Sequence, residues 1–218
     1  MKKGYYSEQA RNNMVCLYED SEYFERKEVF LELIKSFKEN NVKWALGCSM
    51  NLFCRGIIDD FHDLDLIVSI ESIDVVKRIM QQLGADLTGT GGNGFCESDI
   101  YMHYQLGRVD IDIISGFRVV TFGTSYYYPY NENEIDMVKT MGIEIPMVSL
   151  EAMYILYYMM EGWQPKRKFK RQLIEQAFEQ EKPRHVEVFQ NALNNQSLPA
   201  QIKWAVKSLL SEGTVSSK

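Results

Sequence analysis

LGCSMNLFCRGIIDDFHDLDLIV, running from Leu46 to Val68, decides how this chain is read. It ends on Asp63-Leu64-Asp65-Leu66-Ile67-Val68, which alternates as a strand does. Leu64, Leu66 and Val68 fall on one face, Asp63, Asp65 and Ile67 on the other. The stretch opens on Leu46-Gly47-Cys48-Ser49, where a short buried strand, Val42 to Leu46, gives way to an apolar helical segment, Cys48 to Cys54. Gly47 has no Cβ, so a phosphate could approach its backbone. The helix after it would turn free N–H groups and a positive dipole end toward that phosphate. Ser49 adds a hydroxyl donor.

A second acidic strand follows at Val109-Asp110-Ile111-Asp112. Residues i and i+2 of a strand share a side, so Asp110 and Asp112 project together, as Asp63 and Asp65 do. Adjacent carboxylates repel and raise one another's pKa unless a positive charge lies between them. Hard oxygen donors suit Mg²⁺, which binds through a few carboxylates, waters and substrate phosphates. The glycine turn and the paired aspartates therefore point to a metal–phosphate site.

The rest of the chain supplies the frame. Ser21 to Asn40 and Glu71 to Leu83 carry apolar residues at helical spacing, and 84–94 is rich in turn residues. Strands are expected over 95–106, 109–114, 117–121, 125–130 and 143–148, with Gly107-Arg108 joining the first two. Beyond Ser149, helices are expected over 150–160, 168–180, 184–194 and 200–210, separated by Pro165, Pro183 and Pro199. The plan is an α/β (α+β) fold: a mixed-sheet core with N-terminal helices over residues 1–148, then a helical region over 149–218 ending in a polar, frayed tail.

Composition narrows the function. The 218 residues carry 24 Lys+Arg against 30 Asp+Glu, a net charge of −6. Sequence-independent binding of duplex nucleic acid needs many phosphates neutralised, so it is not expected. Four cysteines, Cys16, Cys48, Cys54 and Cys96, lack zinc-site spacing and read as reduced thiols of a cytoplasmic protein. Met1-Lys2-Lys3 is followed by no apolar leader. The longest apolar run, Ala152 to Met160, is nine residues, well short of the ~20 that span a bilayer. No membrane partner is expected.

The order Leu46-Gly47-Cys48-Ser49, Asp63-Leu64-Asp65, Val109-Asp110-Ile111-Asp112 resembles the signature of the polymerase-β-like nucleotidyltransferase superfamily. Spacing and order are similar to those of the small antibiotic nucleotidyltransferases, and IPMVSLEAMYILYYMM, Ile145 to Met160, resembles the helix that follows their core. The resemblance covers about residues 40–165. It implies a nucleotidyltransferase-like mixed sheet flanked by helices, and transfer of an NMP from an NTP to a hydroxyl, with pyrophosphate released. Asp63 and Asp65 would bind two Mg²⁺ ions, and a third aspartate would hold the catalytic one. Of the two available, Asp110 is favoured over Asp112 because it follows the basic-hydrophobic pair Arg108-Val109. All four aspartates are taken as catalytic; Gly47, Cys48, Ser49 and Lys166 as nucleotide-binding; and Asp63, Asp65 and Asp110 as metal ligands. The acceptor would be a small molecule, antibiotic-like, or a protein side chain. Cys48 departs from the family's Gly or Ser, which leaves a second reading open: a non-catalytic binding or regulatory protein, antitoxin-like, on the same fold.

Other features read more plainly. His62-Asp63 is the dipeptide of metal phosphohydrolases, but the further helical His and Asp ligands are missing, so His62 is placed at a rim. Tyr126-Tyr127-Tyr128-Pro129-Tyr130 is read as packing rather than a base-stacking platform. The basic run Lys166 to Arg171 reads as a solvated helix start or as a grip for triphosphate. Its positive charge opposes the helix dipole, which keeps the second use open.

Overall fold

A computed structural model describes residues 5–19, 21–92, 94, 96–121, 123–163 and 165–212. Two helices, α1 (Tyr5–Glu19) and α2 (Ser21–Glu39), open it. β1 (Trp44–Leu46) leads through Gly47 into α3 (Cys48–Cys54), followed by β2 (Leu64–Val68) and α4 (Ile73–Gln82). Then come β3 (Asp86–Thr90), β4 (Ile100–Leu106), β5 (Val109–Ser115), β6 (Phe117–Thr121), β7 (Thr124–Tyr128), β8 (Ile135–Thr140) and β9 (Ile143–Val148). The helices α5 (Leu150–Met160), α6 (Pro165–Gln180), α7 (Val186–Asn194) and α8 (Ala200–Glu212) complete it. Residues 1–4 and 213–218, and with them the reading of the leader and of most of the tail, lie outside the described residues. So do Asn93 and Phe95, at the expected start of the strand over 95–106.

Seven strands form one mixed sheet in the order β3-β4-β5-β2-β1-β9-β8, and β6 and β7 make a separate hairpin. β2 is the pivot: it runs antiparallel to β1 and parallel to β5. Cross-strand partners share a face, so the pairs Trp44–Val68 and Leu46–Leu66 put one apolar face together. α2 covers that face through Phe30 and Phe37, whose rings meet Trp44 edge-on at 6.1 and 5.6 Å. Burying each such ring contributes about 1.5–3 kcal/mol. The other face of β2 and β5, bearing Asp65 and Asp112, is therefore left for the site.

Polar anchors fix the elements around it. Asn51, fully buried on α3, donates to the carbonyls of Leu46 (3.0 Å) and Val148 (2.8 Å), tying the helix to the ends of β1 and β9. Arg55 Nε donates to Asn51 Oδ1 at 2.7 Å, and its guanidinium pairs with Asp136 of β8 at 2.9 Å. Asn13 of α1 donates to the carbonyls of Phe53 and Ile58, both at 2.8 Å. Ser149 caps α5, its hydroxyl accepting from the Ala152 N–H at 3.4 Å.

Three expectations change. The turn-rich stretch over 84–94 contains the edge strand β3, the opposite edge is the unanticipated β8, and β4 begins at Ile100. Among the described residues, no helix is long and apolar enough to cross a membrane.

Candidate active site: an acidic cluster facing a basic helix

β2 and β5 lie side by side in parallel, with Asp65 directly opposite Asp112. That register brings one oxygen from each of Asp63, Asp65 and Asp112 within 4.8 Å of the others. Asp110 stands one step back along β5, opposite Gln105 of β4 and exposed, and it does not join this group. The third carboxylate beside Asp63 and Asp65 is thus that of Asp112, where the basic-hydrophobic pair before Asp110 had favoured Asp110. The reason is register. Arg108-Val109-Asp110 sits at the β4–β5 turn, its Arg108 N–H bound to Glu25 Oε1 at 3.1 Å, short of the cluster.

The three acids are unequal. Asp65 is buried, and that burial, followed by repulsion from Asp63 and Asp112, pushes its carboxyl well above the usual range. The Asp112 carboxyl is also raised, first by burial, against the pull of Tyr101 and His103. Tyr101 Oη donates to Asp112 Oδ2 at 2.8 Å, and His103 Nδ1 lies 2.6 Å from Asp112 Oδ1. Such a cluster is costly by itself and is relieved by a cation.

The Gly47 turn borders the cluster. The Gly47 N–H donates to Asp65 O at 2.8 Å, which continues the β1–β2 ladder. A Cβ at Gly47 would come within 3.3 Å of Ile67 Cγ1 and 3.5 Å of the Asp65 carbonyl. The glycine is thus needed for close packing on β2, a demand beyond phosphate access. The left-handed residue of the turn is Cys48, with φ of 42°; for an L-residue this conformation costs about 1–2 kcal/mol. Its buried thiol is held protonated by burial first and then by the neighbouring Asp65 charge. The Ser49 hydroxyl donates to Asp63 Oδ1 at 3.2 Å.

Across a cleft of about 300 Å³ stands α6. Helical spacing divides its basic run. Lys166, Arg167 and Lys170 line the cleft, Lys168 and Phe169 are exposed, and Arg171 turns away to pair with Glu161 (2.8 Å) and Glu175. The buried ring of Tyr157 on α5 lies beneath the cations: Arg167 Cζ is 5.7 Å and Lys170 Nζ 5.9 Å from its centroid. Burial, and next the neighbouring Arg167, lower the Lys170 pKa. Two crowded cations facing three crowded carboxylates leave space for a ligand that carries both positive and negative charge.

Lys166 alone of these cations was expected at the site from sequence. Arg167 and Lys170 were within the same run, but which of its cations face the cleft is decided by how α6 lies against α5. Tyr101 and His103 had no local signal; the register of β4 on β5 brings them in. His62 lines the rim and pairs with Asp60 at 3.2 Å. Tyr126 and Tyr128 are buried, in keeping with a packing role, while Tyr127 donates to Asp99 Oδ2 at 2.6 Å.

Neither a protein-family model nor a curated protein matches the chain. Solved structures do. A candidate nucleotidyltransferase of Thermotoga maritima superposes with a TM-score of 0.55 at 18% identity, covering 72% of this chain and 98% of its own. ANT(2″)-Ia, crystallised with adenylyl-2″-tobramycin, gives 0.54 at 15% identity, covering 72% of this chain and 92% of its own. The solution structure of the antibiotic-resistance factor ANT(2″)-Ia gives 0.55 at 14% identity, with 87% and 97% covered. At these identities the likeness speaks for architecture: the chain has the polymerase-β-like nucleotidyltransferase fold.

Proposed function

We propose that this cleft transfers a nucleoside monophosphate from an NTP to a hydroxyl group of a small molecule and releases pyrophosphate. The observation that carries the reading is the convergence of Asp63, Asp65 and Asp112 within 4.8 Å, facing cations of α6 across one cleft. The three donors are hard oxygens, which fit Mg²⁺. Asp63, Asp65 and Asp112 would hold the metal. Bound there, divalent ions would lower the pKa of the acceptor hydroxyl and offset the charge of the triphosphate. Asp110, exposed and one step away, takes no part.

The chain's own groups do the rest. Lys166, Arg167 and Lys170 bind the phosphate oxygens, and the Tyr157 ring holds two of them in place. Gly47 lets the turn sit against β2. Ser49 steadies Asp63 through its hydrogen bond. Fixing donor and acceptor in line supplies much of the rate by positioning and charge. Because ANT(2″)-Ia was crystallised with adenylylated tobramycin, ATP and a polyhydroxylated antibiotic are the first donor and acceptor to test. Hydroxyls of protein side chains come second.

The test is ATP binding by calorimetry with Mg²⁺ and with EDTA, then pyrophosphate release across an aminoglycoside panel. Binding should need Mg²⁺, and one or more acceptors should release pyrophosphate that EDTA stops. ATP binding indifferent to EDTA, with no pyrophosphate from any acceptor, contradicts the reading. ATP held in a Mg²⁺-dependent way without turnover would favour the binding-protein alternative, for which the strained Cys48 at φ of 42° speaks.

A further inference from the structure

Asp112 is clasped from one side by the neighbouring strand. β4 runs antiparallel to β5 and sets His103 directly opposite Asp112, with Tyr101 opposite Ile114. Residues two apart on a strand share a face, so Tyr101, His103 and Asp112 all point into the cleft they line. Tyr101 Oη takes one carboxylate oxygen (2.8 Å) and His103 Nδ1 the other (2.6 Å). Neither ring is loose. Their centroids are 4.6 Å apart, and His103 lies over Gly89 of β3, where a Cβ would be 3.4 Å from Cδ2. The Gly89 backbone thus forms the floor under the imidazole.

A carboxylate has about four lone-pair sites. Two donors, one per oxygen, leave a further site on each oxygen, and one Asp112 oxygen lies within 4.8 Å of an oxygen of Asp63 and of Asp65. Among the described residues, Asp63 has one hydroxyl donor, Ser49, at the longer distance of 3.2 Å. Groups that orient a ligating side chain from behind commonly change metal affinity 10–100-fold when removed.

We propose that Tyr101 and His103 are positioning residues that lock the Asp112 carboxylate in the orientation needed to share a divalent cation with Asp63 and Asp65. The inference rests on the nucleotidyl-transfer reading, because that reading supplies the cation. It concerns residues that no acidic motif marks.

The test uses the full chain and Mn²⁺ alone, with free Mn²⁺ followed by its EPR signal. Tyr101→Phe keeps the ring and removes only the hydroxyl. His103→Ala removes the imidazole from a side chain that is 41% exposed, so the fold should survive. His103→Asn offers an amide N–H where Nδ1 stood. Tyr101→Phe and His103→Ala should each weaken Mn²⁺ binding by about tenfold, and His103→Asn should recover to within about threefold of wild type. Asp112→Asn should weaken it at least as much as either, and Asp110→Asn should not. With substrates added, the same two variants should lower kcat more than they raise the KM for ATP.

If Tyr101→Phe and His103→Ala bind Mn²⁺ as wild type does while Asp112→Asn does not, the clasp is overturned and the metal reading stands. A fall in Tm without a change in Mn²⁺ affinity is a purely structural role and overturns it too. If Asp112→Asn itself leaves Mn²⁺ binding unchanged, the nucleotidyl-transfer reading falls and takes the clasp with it.

Discussion

Asp65→Asn is expected to cut pyrophosphate release about a thousandfold, the equivalent of about 4 kcal/mol of lost transition-state stabilisation. The same change should make the metal-free protein more stable. Asp65 is buried beside Asp63 and Asp112, and its carboxyl is pushed well above the ordinary 3.8, by burial first and the two acids next. A carboxyl raised in the folded state binds its proton more tightly there than in the unfolded chain. The stability this brings is complete below the ordinary value and is lost as pH climbs from there through the raised one. Above that range the buried carboxyl therefore costs the metal-free fold stability, and Asp65→Asn relieves it. A gain of about 1 kcal/mol would lift Tm by about 2–4 °C in a chain of this size. The gap between variant and wild type should open as pH rises above about 4 and close when Mg²⁺ is added to the wild type. Asp110→Asn is the control. It stands outside the cluster, and its turnover should stay within about threefold of wild type. Thermal melts across pH, with and without Mg²⁺, read out the first part; a pyrophosphate assay reads out the second.

Arg55→Ala should be the most destabilising single change in the frame that holds the site. Its guanidinium joins α3, through Asn51 Oδ1, to Asp136 of β8 and to the Val148 carbonyl at 3.2 Å. The side chains of Arg55 and Asp136 are only 12% and 13% exposed, so removing one leaves the other charge poorly solvated. Breaking a buried pair costs about 3–5 kcal/mol, which at the low end lowers Tm by about 6–12 °C. The loss should depend on pH. His185 Nε2 lies 3.0 Å from Asp136 Oδ1 and is the remaining partner. Burial lowers the imidazole pKa, but Asp136, Glu151 and Glu187 together outweigh it and the net shift is up from 6.5. Such a group stabilises fully below its ordinary value and loses that contribution as pH rises through the raised one. The Arg55→Ala deficit should therefore be smallest near about pH 5–6 and grow toward pH 8, as the imidazole discharges. Urea unfolding at the two pH values measures it.

How much of this was legible in the sequence follows from where each signal lives. β2 and α3 are local objects. Alternation fixes the face of Asp63 and Asp65, and an apolar run after Gly47 fixes the helix, so α3 appears with its expected bounds and β2 one residue shorter at each end than the expected Asp63 to Ser69. The edge strands β3 and β8 are not local in this sense. β3 is exposed over most of its length, and β8 buries little besides Thr140, so neither shows an apolar face to read. α1 buries only Leu17 fully among its apolar residues and is tied down besides by the polar Asn13. The choice between Asp110 and Asp112 depends on pairing register, because both point the same way along β5 and only the partner Asp65 distinguishes them. The clasp by Tyr101 and His103 is further removed, since it requires β4 to lie against β5 in one register out of several. The basic run was visible, yet its division into Lys166, Arg167 and Lys170 on one side and Arg171 on the other follows only once the helix is laid against α5.

The proposed function requires carboxylates of Asp63, Asp65 and Asp112 to share one divalent cation. A crystal soaked with Mn²⁺ and a non-hydrolysable ATP analogue reads this out through the anomalous scattering of manganese. A peak is expected at about 2.1–2.2 Å from oxygens of Asp63, Asp65 and Asp112, with the phosphates directed toward Arg167 and Lys170. A peak held by Asp110 in place of Asp112, or no peak between the two strands, would contradict it.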